Sequence, residues 1–221
     1  MSEVYPEILP HYKSYGQTIQ RTNILRYLLL HHYGGVYLDL DITCWALLDG
    51  HLHLPWLTPG AYPAGINNAF MLSKPWHPFL TELIERIPTH NLKWDLPYVE
   101  NMLSTGCMFI SNVWTQYMRY DSTHPPEDKL YILADEYGNL EGQMLRGAVS
   151  TSLFRHGGAS SWHGWDAAGI IFVGEHYILA LLLFAAGLAA WIWLILRLSR
   201  SRLCREPTAF EDEEVLWMKI G

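Results

Sequence analysis

Asp39 and Asp41 stand two apart at the end of the run Gly34-Gly35-Val36-Tyr37-Leu38-Asp39-Leu40-Asp41. Side chains on a strand alternate faces, so both carboxylates are expected on one side, with Leu40 pointing into the protein. Two carboxylates placed in this way can share one divalent cation. Carboxylate oxygens suit Mn2+ or Mg2+, and a metal with few protein ligands keeps positions open for the oxygens of a substrate diphosphate. The chemistry would be Lewis-acid assistance to a departing diphosphate in a displacement at a sugar C1. An acidic surface turn produces the same spacing, so the pair alone does not identify the reaction.

The elements around this pair follow from periodicity. Ile24, Leu25, Leu28 and Leu29 recur at the spacing of one helix face and predict a helix from Ile19 to Tyr33. Gly34-Gly35 stops that helix, and Val36-Tyr37-Leu38 predicts a short strand running into the acidic loop. Further on, strands are expected near Ala69–Leu72, Met108–Ile110 and Leu130–Leu133, and helices near Pro78–Arg86, Leu96–Leu103 and Trp114–Arg119. Residues 134–176 have weak periodicity and read as a loop-built rim. Helices alternating with short strands predict an α/β fold in three layers.

A chain of 221 residues carries one sizeable domain and at most one appendage. With 15 basic and 22 acidic side chains the net charge is −7, which argues against nucleic acid as a partner. Hydrophobic residues at 50% against 17% charged exclude a disordered chain and place part of the apolar excess in a membrane. Cys44, Cys107 and Cys204 are too few and too scattered for a disulfide framework or a zinc ribbon.

From Tyr177 to Leu196 twenty residues carry no charge, enough at 1.5 Å per residue to cross a hydrocarbon core of about 30 Å. Arg197, Arg200, Arg202 and Arg205 follow, so the positive-inside bias puts the tail in the cytosol and residues 1–176 on the lumenal or external side. The N-terminal stretch, however, has no basic region followed by an apolar run. Either the span acts as a tail anchor or the chain lacks an upstream leader. Glu206 to Gly221 reads as a solvated acidic tail. Cys204, among the arginines, is a candidate for palmitoylation, with the unmodified thiol as the competing reading.

The run R-T-N-I-L-R-Y-L-L-L-H-H-Y-G-G-V-Y-L-D-L-D from Arg21 to Asp41 resembles the signature of glycosyltransferase family 32, in which an R-x-D-x-x-R-Y helix precedes G-G-x-Y-x-D-x-D. Within that family the chain is most similar to the fungal inositol phosphorylceramide mannosyltransferases. N-N-A-F-M at Asn67–Met71, W-H-P-F at Trp76–Phe79, S-T-G-C-M-F at Ser104–Phe109 and S-W-H-G-W-D at Ser161–Asp166 have counterparts there in the same order. The match runs from about Tyr5 to Asp166.

The resemblance implies a GT-A-like, Rossmann-like three-layer sandwich at residues 1–176, incomplete at its N-terminus. A transmembrane helix at 177–196 and a cytosolic tail at 197–221 would follow. It implies a Mn2+ (or Mg2+) cofactor and transfer of mannose from GDP-mannose, with retention, to the inositol of a phosphoceramide. That reaction belongs to sphingolipid biosynthesis in the lumen of the Golgi or endoplasmic reticulum. The implied partners are the sugar nucleotide, a membrane lipid acceptor, the bilayer and, as a further candidate, a regulatory subunit.

By the same resemblance Asp39, Asp41 and Arg26 would carry catalysis, and Asn23, Arg26, Tyr27, Gly34, Gly35, Asn67 and Trp162 would meet the donor. Asp39 and Asp41 would hold the metal with either His163 or His156 as third ligand. Asp166 would orient His163 or cap a turn. His31, His32, His51 and His53 read as structural.

The chain departs from the family pattern in three places. Asn23 stands where the family carries an aspartate, Cys107 where T-G-P is usual, and the first strand and helix of the nucleotide-binding half would lie upstream of Met1. Two rival functions follow: a non-catalytic membrane-anchored partner or regulator, and a mannosyltransferase acting on protein-linked glycans.

Overall fold

A computed structural model describes residues 1, 3–61, 65–120, 123–134, 149–159 and 161–203. After α1 (Leu9–Ser14), the long helix α2 runs from Thr18 to Tyr33. It opens on a reciprocal capping box in which Gln17 and Gln20 each satisfy the other's backbone N–H. The face that enters the core carries Ile24, Tyr27, Leu28 and Leu30 together with the polar Gln20, Asn23, Arg26 and His31. Leu25 and Leu29, expected on that face, are exposed instead. A stripe chosen by apolar residues alone is rotated from the true one, because the buried polar groups have hydrogen-bond partners inside. One of them is His31, which meets the Tyr5 hydroxyl at 2.6 Å and the Thr81 hydroxyl at 3.0 Å, a structural role.

Gly34 ends α2 at φ +65° and its N–H donates to Leu30 O. A Cβ there would lie 2.6 Å from Pro75 Cδ and 2.9 Å from Ser73 O, so both the backbone angle and the close approach require glycine.

The chain then builds β1 (Gly35–Leu38), β2 (Ile42–Cys44), β3 (Trp56–Pro59) and β4 (Phe70–Ser73). Helices α3 (Pro78–Arg86), α4 (Pro97–Ser104) and α5 (Cys107–Met118) follow, then β5 (Tyr131–Leu133), β6 (Val149–Ser150), β7 (Phe154–His156) and α6 (Trp165–Glu175). The main sheet has the order β1-β4-β3-β5 and is mixed: β1 and β3 run antiparallel to β4, and β5 runs parallel to β3.

The period-2 alternation of its strands divides the core in two. Trp56 and Met71 join the helical side, with Ile24, Tyr27, Phe79, Leu83, Phe109 and Val113. Leu57, Phe70 and Leu72 point the other way, against Val149, Leu153 and Phe154. That second cover is a small antiparallel sheet, β2-β7-β6. Among the described residues, therefore, helices cover one face of the main sheet and a β layer covers the other, the composition of the three layers that the sequence left open.

Two local expectations change. Residues 108–110 are not a strand but lie in α5, where Phe109, Ile110, Val113 and Tyr117 are buried at helical spacing. A three-residue apolar run cannot separate strand from helix without its neighbours. Residues 149–176, expected as loop, hold β6, β7 and α6. The intervening 135–148 lie outside the described residues.

Met1–Glu175 and His176–Gly221 form two compact units. In the second, α7 (Tyr177–Leu203) continues seven residues past Leu196, so the expected division at 196/197 falls inside a helix. Its stretch Tyr177–Arg200 contains eighteen residues of mean hydropathy 2.5 and is long and apolar enough to cross a membrane. Cys204 and the acidic tail lie outside the described residues.

Candidate active site

The acidic pair sits on the turn between β1 and β2. Asp39 N donates to Ala69 O at 2.8 Å, which is the last tie to the main sheet, and Ile42 N donates back to Asp39 O at 3.2 Å. Leu40, at the apex, is wholly exposed. The expectation that strand alternation turns Leu40 inward is therefore wrong: β1 ends at Leu38, and the two carboxylates converge because the chain turns.

Asp41 is held from the other side of the cleft. Its carbonyl accepts from Gly157 N at 3.0 Å and its Oδ2 from Ala159 N at 2.8 Å. The β2–β7 register pairs Ile42 with His156, which brings His156 Nε2 to 3.2 Å from Asp41 Oδ1. One ligand atom each from Asp39, Asp41 and His156 lies within 4.8 Å of the others. Opposite ligands of a small octahedral cation are about 4.2 Å apart, so one ion can reach all three after small side-chain shifts. Two carboxylates and an imidazole are a donor set that suits Mn2+ better than the all-oxygen preference of Mg2+. His163, the other candidate, is not in this group.

Arg26, only 3% exposed, reaches the cluster from α2. Its Nη1 donates to Asn68 O at 2.8 Å, its Nη2 lies 3.4 Å from Asp39 Oδ1, and its guanidinium carbon sits 4.5 Å from the centre of the Tyr37 ring. Arg26 Nε has no partner among the described residues. The Tyr37 hydroxyl donates to the same Asp39 Oδ1 at 2.7 Å. Burial pushes the Tyr37 hydroxyl up to about 12 against the opposing charge of Arg26, so it remains a proton donor at neutral pH. Tyr37 was not singled out in the sequence. The signal was there: residues 37 and 39 are two apart where a strand ends, and so leave it on one side.

Asn23 lines the cleft, but its amide is fully engaged. Nδ2 donates to Asn101 Oδ1 at 3.0 Å and to Thr105 Oγ1 at 3.2 Å, while Oδ1 accepts from Asn68 Nδ2 at 3.4 Å. Tyr27 is buried behind it, donating to Thr105 O and accepting from Asn68 Nδ2, and desolvation raises its hydroxyl pKa. It lies outside the cleft lining, as do Gly34 and Gly35; the close approach at Gly34 is to Pro75. Asn67 does line the cleft, and its Oδ1 accepts from Ala69 N. Cys107 opens α5 at the first helical position, where proline is also favoured, and its thiol donates to Asn68 Oδ1 at 3.1 Å. Burial raises that thiol's pKa and keeps it neutral.

Asn23, Arg26, Tyr37, Asn67 and Cys107 line, with the acidic pair and His156, a cleft of about 730 Å3, a volume suited to a nucleotide-sized ligand. Trp162 stacks on Tyr98 at 5.4 Å and 10°, and His163 meets Tyr98 edge-on at 5.1 Å; Trp162 and His163 both line the cleft. Burial lowers the His163 pKa, against the nearby charge of Asp166. Asp166 Oδ2 accepts from Tyr98 N at 2.5 Å in the first turn of α4, which is the capping alternative of its two expected roles.

Comparison with known proteins reaches the segment that carries the acidic pair. Residues 1–55 match the family described as glycosyltransferase sugar-binding region containing DXD motif. Over 167 residues the chain is 35% identical to mannosyl phosphorylinositol ceramide synthase CSH1 of Saccharomyces cerevisiae, covering 76% of this chain and 42% of the relative. It is 33% identical to inositol phosphoceramide mannosyltransferase 2 of Schizosaccharomyces pombe, covering 80% and 49%. The chain thus spans about half the length of the curated relatives it matches. Among solved structures, the PaToxG glycosyltransferase is 18% identical with a TM-score of 0.41, over 55% of this chain and 42% of that one, an overlap too small to assign a fold.

Proposed function

Because residues 1–55 belong to the glycosyltransferase sugar-binding family with a DXD motif, we propose that this chain carries the site of a metal-dependent mannosyltransferase. The donor is GDP-mannose and the acceptor is the inositol of a phosphoceramide, the acceptor named in its relatives. The observation that carries this reading is the convergence of Asp39, Asp41 and His156 within 4.8 Å, beside a cleft of nucleotide size. Mn2+ or Mg2+ bound there would supply the positive charge that stabilises a departing diphosphate.

The remaining groups act around that charge. Arg26, fixed by Asn68 and Tyr37 and with Nε unpartnered, presents a planar donor fork to phosphate or sugar oxygens. Trp162, stacked on Tyr98, offers an aromatic face to the sugar or base, and Asn67, which lines the same cleft, orients the donor. Asn23 serves by fixing Asn68 and so Arg26, since its own amide is satisfied by protein. In this reading the sheet and its helical layer form a GT-A-like half, transfer retains configuration, and α7 anchors the enzyme in a Golgi or endoplasmic reticulum membrane with residues 1–176 lumenal and the C-terminus cytosolic.

The test is ligand-linked stability in the detergent-solubilised chain. Mn2+ with GDP-mannose at about 100 times its Kd should stabilise the fold by about 2.7 kcal/mol. Asp39→Ala combined with Asp41→Ala should abolish the increase, and His156→Ala should remove most of the Mn2+ response while His163→Ala leaves it in place. An unchanged shift in the double variant refutes the metal role. Transfer of labelled mannose to inositol phosphorylceramide, absent in the double variant, tests the reaction itself.

A further inference from the structure

Two groups converge on a single oxygen of Asp39. The Tyr37 hydroxyl donates to Oδ1 at 2.7 Å, and Arg26 Nη2 stands 3.4 Å from that same atom. Oδ2 has no partner among the described residues. Tyr37 is itself fixed: it lies on β1, opposite Met71 of β4 in the sheet register, with the buried Arg26 guanidinium over its ring. Asp39, by contrast, sits beyond the strand, on the turn whose apex, Leu40, is wholly exposed. A carboxylate on an exposed turn is free to rotate about χ1 and χ2 unless something holds one of its oxygens.

We propose that Tyr37 is a positioning residue whose hydroxyl pins Oδ1 of Asp39, so that Oδ2 is presented to the divalent cation shared with Asp41 and His156. This rests on the metal reading above and assigns a residue to it that no comparison names. The ring and the hydroxyl have separate tasks. The ring carries the Arg26 guanidinium, and the hydroxyl orders the ligand. Groups that orient a metal ligand in this way, when removed, typically weaken metal affinity by about 10–100-fold.

The experiment titrates Mn2+ into the detergent-solubilised full chain and follows the free-ion signal by electron paramagnetic resonance. Wild type, Tyr37→Phe and Tyr37→Leu are compared, with thermal unfolding in chelator as the check on folding. Tyr37→Phe keeps the ring beneath Arg26 and is expected to raise the Mn2+ Kd about 10-fold, with the metal-free melting temperature close to wild type. In mannose transfer, the Mn2+ concentration for half-maximal rate should rise by the same factor, while the rate at saturating Mn2+ changes less than about 3-fold. Tyr37→Leu should add a lower metal-free melting temperature to the loss of Mn2+ affinity. A Tyr37→Phe chain that binds Mn2+ as tightly as wild type overturns this inference alone. So does a transfer defect that saturating Mn2+ does not recover, which would place the hydroxyl on the substrate. A wild-type chain that takes up no Mn2+ overturns the metal reading and this inference with it.

Discussion

Replacing Asn23 by aspartate, the residue that the family signature carries there, should destabilise this chain. Asn23 is 3% exposed and uses both amide hydrogens, one on Asn101 Oδ1 and one on Thr105 Oγ1. Asn23→Asp is nearly isosteric but replaces a double donor with an acceptor that faces two acceptors. Two hydrogen bonds at about 0.5–1.5 kcal/mol each set the loss at about 1–3 kcal/mol, and the desolvation of a buried carboxylate adds to it. Flipping the Asn101 amide and rotating the Thr105 hydroxyl recover part, as does Arg26 one turn along α2. The net expectation is a loss of about 2–4 kcal/mol at pH 7.5, or about 5–12 °C in a domain of this size.

The pH dependence supplies a second check on the same variant. Burial raises the new carboxyl above its unfolded pKa of about 3.9, so the charge penalty is absent at pH values below that and grows as pH rises through the folded value. Thermal unfolding of wild type and Asn23→Asp from pH 4 to 8 should therefore show curves that diverge upward in pH. Equal midpoints at pH 7.5, or a gap that widens toward acid, would refute the account of Asn23 as a satisfied network residue.

Two further outcomes test the scaffold. Burial, with a smaller contribution from Lys74, holds the His77 imidazole down at about 4, and its neutral Nδ1 accepts from Phe79 N to cap α3. The folded pKa lies below the unfolded 6.5, so this contribution is complete above about pH 6.5 and is lost as pH falls toward 4, to the extent of about 3 kcal/mol. His77→Asn, which can still cap but does not titrate, should flatten that part of the stability profile; an unaltered acid slope would contradict the assignment. Gly34→Ala should cost at least about 2 kcal/mol, because it combines a positive φ with a Cβ 2.6 Å from Pro75. Gly35→Ala, with open space around its Cβ, should cost less in the same melting experiment.

The acidic pair, α2, β1, β4, α3 and the apolar helix were legible because each is a local pattern: a spacing, a period or a run. What could not be read was whatever depends on a distant partner. Strand alternation does not reach Leu40, because β1 ends at Leu38 and the chain turns where Ile42 N meets Asp39 O. The choice between His156 and His163 was open in the sequence because it turns on the β2–β7 register, which joins residues 42 and 156. Arg26 was found by its motif, but its buried contact with Asp39 and the Tyr37 hydroxyl between them were not. The β layer was missed because β2, β6 and β7 are two or three residues long, too short for periodicity to register.

The same geometry divides the site between two parts of the fold. Asp39 is fixed by its tie to Ala69 and by two neighbours from α2 and β1. Asp41 and His156 depend on a different contact, the docking of β7 on β2, with Gly157 and Ala159 closing onto Asp41. Ile42 and Phe154 tie that docking to the second apolar cluster, behind Phe70 and Leu72. Without that docking the site would keep the two carboxylates of the turn and lose His156. With it, one ligand atom from each of the three residues comes within 4.8 Å of the others, and a bound ion's charge would offset the repulsion between the two aspartates. In the metal reading, ion binding and formation of the small sheet would be linked: an ion that prefers the closed cluster would stabilise the β layer, and a lesion elsewhere in the β layer would weaken the ion's hold.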